Sequence, residues 1–525
     1  MKPTLQLDRS STLTLPSTPQ PTLPFKNPAT GEIFGEVPIA SPAEIQAAMA
    51  EMRIAFKTWQ KKPVRERARL LGQLQRVVID HLDDITATIA RDTGKPRQDA
   101  LSEVFMSMDL LSLYRRKAAG WLKPRPISRG VYLFKQFQVV PQPYGVVLVI
   151  APWNYPFYLA FPPIFSALLA GNTVIFKPSE VTAASGVLID ALFDQVPELR
   201  PYVHVLYGDG ATGAELIQAR PDHIFFTGSA ETGSIIQKSA AGALIPVASE
   251  LGGKDAAIVL EDANLREAAR WCVWGACYNT GQVCISIERV YVVESVYDEF
   301  LRYALGFIQD IKQGYSPEQE SPYDMGPITD PAQLAVIETH LADALAKGAH
   351  VLAGGPAQGM YFPATLLTNV DHTMLVMREE TFGPLMPVMK VKDEAEAIRL
   401  ANDNRFGLGA SIWSNNLARA RRVARQVEAG SIVINDAMVQ IAAPGLPFGG
   451  LKHSGTSRIH GKDGLLSFTL PVTYSTSGTP FPLDLATLMR QPGHYAMGKF
   501  LMELLFGVTP RQTLRPFLRW LRRRS

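Results

Sequence analysis

The chain carries three cysteines, Cys272, Cys277 and Cys284, within one short stretch, and the last follows Gly281-Gln282-Val283. A thiol beyond a glycine-containing loop can serve as a nucleophile, because exposed backbone N–H groups and local positive potential lower its pKa. Cys284 is therefore expected to be ionised near neutral pH. Glu250 opens Glu250-Leu251-Gly252-Gly253-Lys254 at the end of an apolar run, where partial burial would raise a carboxyl into the range of a general base. Asn154 sits between Pro152 and Pro156 just past another apolar run, where a neutral amide can donate to an oxyanion. Their order and their position at strand ends argue jointly for an active site. Each residue alone also has an ordinary reading, as a core cysteine, a surface glutamate and a turn asparagine.

A second group of residues suits a dinucleotide. The apolar run at 223–227 leads straight into Gly228-Ser229-Ala230-Glu231-Thr232-Gly233. Glycines where a strand turns into a helix let backbone approach a pyrophosphate, and the helix N-terminus attracts it. The Gly-x-x-x-x-Gly spacing equally suits a plain tight turn. Lys177 and Glu180 close another apolar run. A carboxylate at the carboxyl edge of a parallel sheet accepts both hydroxyls of an adenosine ribose and repels a 2′-phosphate, which favours NAD over NADP. A solvated pair on a loop is the alternative.

These groups can meet only if strand ends bring them together. No charged side chain occurs between Lys135 and Lys177, a span longer than a membrane helix needs. Pro152, Pro156, Pro162 and Pro163 interrupt it, so two buried parallel strands joined by a helix account for it better. The same alternation continues to residue 262, predicting a doubly wound parallel sheet covered by helices on both faces. Residues 42–122 read as amphipathic helices, with Leu71, Leu74, Val78 and Leu82 at helical spacing beneath the sheet. A second α/β pattern follows Cys284, with strands expected at 289–295, 387–393, 409–414 and 431–436. Extended segments at 130–143 and 465–475 pair as a projecting β arm for oligomerisation.

The expected division is a flexible N-terminal arm at 1–24, a cofactor domain at 25–122 and 142–251, and a catalytic domain at 252–464. The β arm takes 123–141 and 465–478, and a basic amphipathic tail takes 479–525. With 525 residues, 46% hydrophobic and 19% charged, the chain can bury a large core, which excludes a disordered or disulfide-stapled protein. A net charge of +3 argues against a nucleic-acid binder held by bulk attraction. That charge is uneven: residues 475–525 hold eight Lys or Arg against Asp484 and Glu503, a net of +6, so the remainder carries −3. Three clustered cysteines without a nearby histidine support neither a disulfide framework nor a metal site. The N-terminus has no apolar signal core. A reducing, cytoplasmic location is the expectation.

Seven motifs in order carry a resemblance to the aldehyde dehydrogenase superfamily, from about residue 27 to about residue 475. They are Pro152-Trp153-Asn154, Lys177-Pro178-Ser179-Glu180, Phe226-Thr227-Gly228-Ser229, Glu250-Leu251-Gly252-Gly253-Lys254, Gly281-Gln282-Val283-Cys284, Glu379-Glu380-Thr381-Phe382-Gly383-Pro384 and Pro447-Phe448-Gly449-Gly450. The resemblance implies an α/β fold with a Rossmann-type cofactor domain, an α/β catalytic domain and a small β oligomerisation arm. It implies Cys284 as nucleophile, Glu250 as base, and Asn154 with the Cys284 backbone N–H as oxyanion hole. It also implies that Lys177 and Glu180 hold the adenosine ribose and that Gly228, Ser229 and Gly233 border the pyrophosphate. Glu380 and Phe382 would position the nicotinamide half, with Trp153 lining the same cleft. Cys272 and Cys277 are left as packing residues.

By the same resemblance the aldehyde tunnel is lined by Phe157, Tyr158, Phe161, Ile285, Met438, Val439 and Ile441. All are without charge, which points to an aliphatic or aromatic aldehyde rather than a dicarboxylic semialdehyde. The presence of Glu250 favours water over coenzyme A as acyl acceptor. A homodimer or homotetramer is expected. In the tail, Leu514, Phe517, Leu518 and Leu521 follow helical spacing apart from Arg511, Arg515, Arg519 and Arg522, which suits an anionic membrane surface or docking on the protein itself. The competing classes are a catalytically silent binding or structural protein of this fold and a coenzyme-A-acylating dehydrogenase.

Overall fold

The structure, a computed structural model, describes residues 20–130, 135–477, 490 and 494–506. These fall into two compact units, one drawn from Met1–Lys123 and Pro141–Pro471 and the other from Pro124–Val140 and Val472–Ser525.

Among the described residues the first unit holds two large sheets besides two two-stranded pairs. In one, the strands lie in the spatial order Val203–Val205, Thr173–Lys177, Val146–Ile150, His223–Gly228, Val247–Leu251, all parallel. In chain order this is three-two-one-four-five, so the connection reverses direction between Val146–Ile150 and His223–Gly228. A ligand crevice opens outside the carboxyl ends at such a switch point. The central strands are apolar on both faces because each face meets helices. Val147, Val149, Val174 and Phe225 join a core with Leu71, Leu74, Val78, Phe161 and Phe165. Val146, Leu148, Ile175 and Phe226 join another with Ile45, Met49 and Leu216.

The helices are delimited by local chemistry. Ser41 caps Pro42–Trp59 in a reciprocal box with Glu44, satisfying otherwise orphaned N–H groups. Leu82–Thr93 stops at Gly94, whose φ of 78° no other residue adopts cheaply. The long helix Arg97–Trp121 buries Leu110, Leu111 and Tyr114.

The second sheet has the order His350–Ala353, Thr365–Thr368, Leu385–Val391, Ile287–Val293, Asp255–Val259, Gly409–Trp413, Ser431–Ile434. It is parallel apart from the edge strand His350–Ala353. Its two outermost strands on that side, and the helix Pro331–Ala346, escape the sequence pattern because the strands are only four residues long.

Thr469–Ser477, Lys135–Pro143 and Arg125–Ile127 form one three-stranded sheet, most of whose residues belong to the second unit, so the expected pair gains a third strand. The expected flexible arm is corrected at its end: Thr22–Lys26 is a strand paired antiparallel with Ile33–Pro38, anchored by Phe25 against Phe34. Residues 1–19 lie outside the described residues. So do Leu514, Phe517, Leu518, Leu521 and the four tail arginines, whereas His494–Phe506 is helical. Among the described residues, no helix is long and apolar enough to cross a membrane.

Candidate active site

Asn154 follows the first strand of the cofactor sheet and is buried. Its Nδ2 donates to the Gln282 carbonyl at 3.0 Å. Its own carbonyl accepts from Lys95 Nζ at 2.7 Å and from Asn279 Nδ2 at 3.3 Å. Lys95 is in turn paired with buried Glu103 at 2.5 Å, and Glu103 also accepts the N–H groups of Phe157 and Tyr158. A buried charge pair whose remaining valences are filled by backbone is well placed to hold a loop in one geometry. Lys95 and Glu103 have no motif in the sequence; their partners lie some fifty residues away.

Cys284 follows the helix Leu265–Cys277 and a tight turn in which Asn279, Thr280 and Gly281 all take positive φ. Such backbone persists only where surroundings over-determine it. Here Gln282 does so, donating to the Asn279 carbonyl and accepting from Thr329 N, while Thr280 donates to Gly326 O. A Cβ on Gly253 would overlap the Cys284 carbonyl and one on Gly252 the Glu380 carboxyl, so the two glycines before Lys254 let two different loops approach closely. Cys284 is partly exposed, unlike Cys272 and Cys277.

The expectation of an ionised sulfur is corrected. Burial pushes the Cys284 thiol well above its ordinary range, and the Glu380, Asp255 and Glu250 carboxyls add to the rise. A thiolate here would face three carboxyls and no nearby cation that outweighs them.

Glu250 ends the strand Val247–Leu251 and is buried. Burial pushes its carboxyl up to about 8, with Ser457 and Arg458 pulling the other way. Ser457 Oγ donates to Oε1 at 2.5 Å, and Oε2 has no partner among the described residues. Ser457 is some two hundred residues away in sequence and carries no local signal.

Glu380 accepts the Gly253 N–H at 2.9 Å, and burial, followed by Glu288, raises it to about 8. Phe382, at φ 52°, meets Trp153 edge to face with ring centres 5.5 Å apart. Lys177 is buried and paired with Glu180 at 3.3 Å. Ser229 caps the helix Ala230–Ala241 by accepting from Thr232 N. A Cβ on Gly233 would overlap Leu251, so this glycine lets the helix pack on the sheet. A glycine turn, a capped helix start and an acidic strand end at the switch point fit a dinucleotide.

One cavity of about 370 Å³ joins Cys284, Glu250, Asn154, Trp153, Gly228, Ser229, Glu380, Phe382 and Ile441. Lys177, Glu180 and Gly233 do not border it. The expected tunnel wall is largely corrected. Phe157 and Phe161 stack on each other within the core beneath, because the turn before Phe161–Ala170 directs their common face inward. Tyr158 lies behind the wall, donating to the Ile441 carbonyl and 2.7 Å from His460 Nε2. Ile285 and Met438 pack beside Tyr158, and Val439 is largely exposed. The wall is instead built from Leu110, Leu159, Pro162, Phe225, Phe448 and Phe468, with Tyr114, Ser166 and His460 among them. These come from four distant stretches, which only folding assembles.

A model of the aldehyde dehydrogenase family matches residues 15–473. The chain is 42% identical over 491 residues to the 4,4′-diapolycopene aldehyde oxidase of a Methylomonas species, covering 93% of this chain and 92% of that one. It is 34% identical over 470 residues to a candidate succinate-semialdehyde dehydrogenase [NADP(+)] of Mycobacterium ulcerans, covering 89% and 90%. The solved NADP-dependent glyceraldehyde-3-phosphate dehydrogenase of Bacillus halodurans, complexed with NADP, superposes with a TM-score of 0.83 at 34% identity, over 87% of this chain and 96% of that one. A match running through both sheets and the loops that carry Asn154, Glu250 and Cys284 leaves one identity: the chain belongs to the aldehyde dehydrogenase family, oxidoreductases that act on aldehydes with NAD or NADP.

Proposed function

We propose that the protein oxidises a long, apolar aldehyde to its carboxylic acid, with NAD preferred over NADP. Cys284 Sγ attacks the carbonyl carbon while its proton passes to the Glu250 carboxylate. Asn154 Nδ2 and the Cys284 backbone N–H stabilise the resulting oxyanion. When bound, the oxidised dinucleotide supplies the hydride acceptor. Glu250 releases the thiol proton to solvent, then takes one from the water that attacks the Cys284 thioester and returns it to the departing sulfur, so the acid leaves with the thiol regenerated. Glu180 beside Lys177 supports NAD, since a carboxylate there repels a 2′-phosphate.

The observation that carries the substrate class is the composition of the wall that begins beside Cys284. Leu110, Leu159, Pro162, Phe225, Phe448, Ile459 and Phe468 offer apolar surface. Among the described residues, Arg405 is the one Lys or Arg lining the cavity, and it is engaged with Glu231 and Glu379. Burial holds His460 near 4, so it is neutral at pH 7. A substrate carboxylate would therefore find no free cation, which counts against a semialdehyde of the succinate type. The relative named for 4,4′-diapolycopene aldehyde agrees with an extended hydrocarbon. The test is kcat/KM for hexanal, decanal and a polyene aldehyde against succinic semialdehyde, with NAD and with NADP. A preference for the charged aldehyde overturns the reading.

The β arm would join a second copy, since Leu470, Val472 and Tyr474 are exposed on Thr469–Ser477; light scattering reads the dimer or tetramer. The basic tail would hold the enzyme at an anionic membrane surface, which flotation with and without residues 479–525 tests.

A further inference from the structure

Behind the turn that carries Glu380 and Phe382 lies a charge pair that neither the nucleophile nor the base requires. Glu288, on the strand Ile287–Val293, is 2% exposed. One carboxylate oxygen accepts the Thr381 N–H at 2.7 Å and the other accepts the Phe382 N–H at 2.8 Å. Lys254 Nζ reaches the same carboxylate at 2.5 Å and the Thr381 hydroxyl at 3.0 Å. Gln333 Nε2 donates to the Thr381 carbonyl, and His340 Nδ1 lies 3.1 Å from its hydroxyl. Phe382 holds φ at 52°, a conformation a bulky residue keeps only under such constraint.

We propose that Glu288 is a positioning residue for the cofactor: its carboxylate, neutralised by Lys254, clamps the Glu380–Phe382 turn in the geometry that receives the nicotinamide half. This rests on the reading that Glu380 and Phe382 face that half. An ion pair that served only to join two strands would not need both oxygens on consecutive N–H groups of a strained turn. The clamp also fixes Glu380 from behind while Gly253 N–H fixes it in front. A charge-assisted bidentate grip leaves the turn little freedom before cofactor arrives.

The experiment titrates NAD without aldehyde by tryptophan fluorescence into wild type, Glu288→Ala, Glu288→Gln and Glu380→Gln, alongside thermal midpoints and amide exchange of the 379–384 peptide. Glu288→Ala is expected to weaken NAD about tenfold, the worth of one hydrogen bond to a charged group. Glu288→Gln, which keeps one accepting oxygen, falls between, and KM for NAD rises more than kcat falls. Exchange at Thr381 and Phe382 quickens in the apo protein. If Glu380→Gln weakens NAD but folded Glu288→Gln matches wild type in affinity and exchange, the clamp is wrong. If Glu380→Gln binds NAD normally, the reading of the turn fails independently of Glu288. Should Glu288→Ala not fold, Glu288→Gln alone decides.

Discussion

At the Cys284 end of the cavity, burial raises Glu250 and Glu380 to about 8 and lifts the thiol further, whereas Leu110, Leu159, Pro162, Phe225 and Phe468 line a wall whose titratable members, Tyr114 and His460, burial keeps in their neutral forms. In the proposed reaction the difference separates two tasks. Charge that develops would be met by fixed donors and tuned acids, which act on every aldehyde alike. Chain length would be read by apolar contact, which acts only on the substrate's hydrocarbon chain. Substitutions at the first end should therefore lower kcat for all substrates, and those along the wall should change KM according to length.

The largest effect is expected for Cys284→Ala, which should cut turnover of both short and long aldehydes by about 10⁴-fold or more at unchanged thermal stability. Residual turnover near the wild-type rate would remove the nucleophile from this end. Glu250→Gln, which removes the acceptor of both the thiol proton and the water proton, should slow the first turnover as well as thioester hydrolysis, so stopped-flow should show NADH forming slowly and without a burst for short and long aldehydes alike. Asn154→Ala should cost about 10²–10³ in kcat irrespective of chain length.

The pH profile sharpens the same contrast. A carboxyl near 8 is mostly protonated at pH 7, and the base form grows as pH rises through 8, so kcat should climb over that interval for short and long aldehydes equally. A limb that moved with chain length would mean that the wall, not Glu250, controls it. Leu159→Ala should raise KM for decanal about tenfold, a loss of roughly 1–2 kcal/mol of apolar contact, with acetaldehyde unchanged. Ser457→Ala, which removes the hydrogen bond holding Glu250 down, should shift the limb to higher pH and do least to the maximum rate.

Much of this was legible beforehand because it is local. Strand runs such as Val146–Ile150, the glycines at 228 and 233, and the stretch Gly281–Cys284 carry their reasons within a few residues. The wall was not legible. Phe157 and Phe161 are as apolar as Leu110 and Phe468, and hydrophobicity cannot say which faces a cavity and which faces the core. Ser457, Lys95 and Glu288 were equally silent, since each acts on a loop far away in the chain.

By itself, the sequence determined the alternation that builds two largely parallel sheets and the residues proposed to react, because periodicity and side-chain chemistry are properties of short segments. Tertiary structure decided their ionisation and their company. Glu250 becomes a base near 8, and Cys284 a thiol held neutral, through burial beside one another and beside Glu380 and Asp255. Desolvation and Coulomb interactions between segments far apart in the chain exist only once the fold has brought them together.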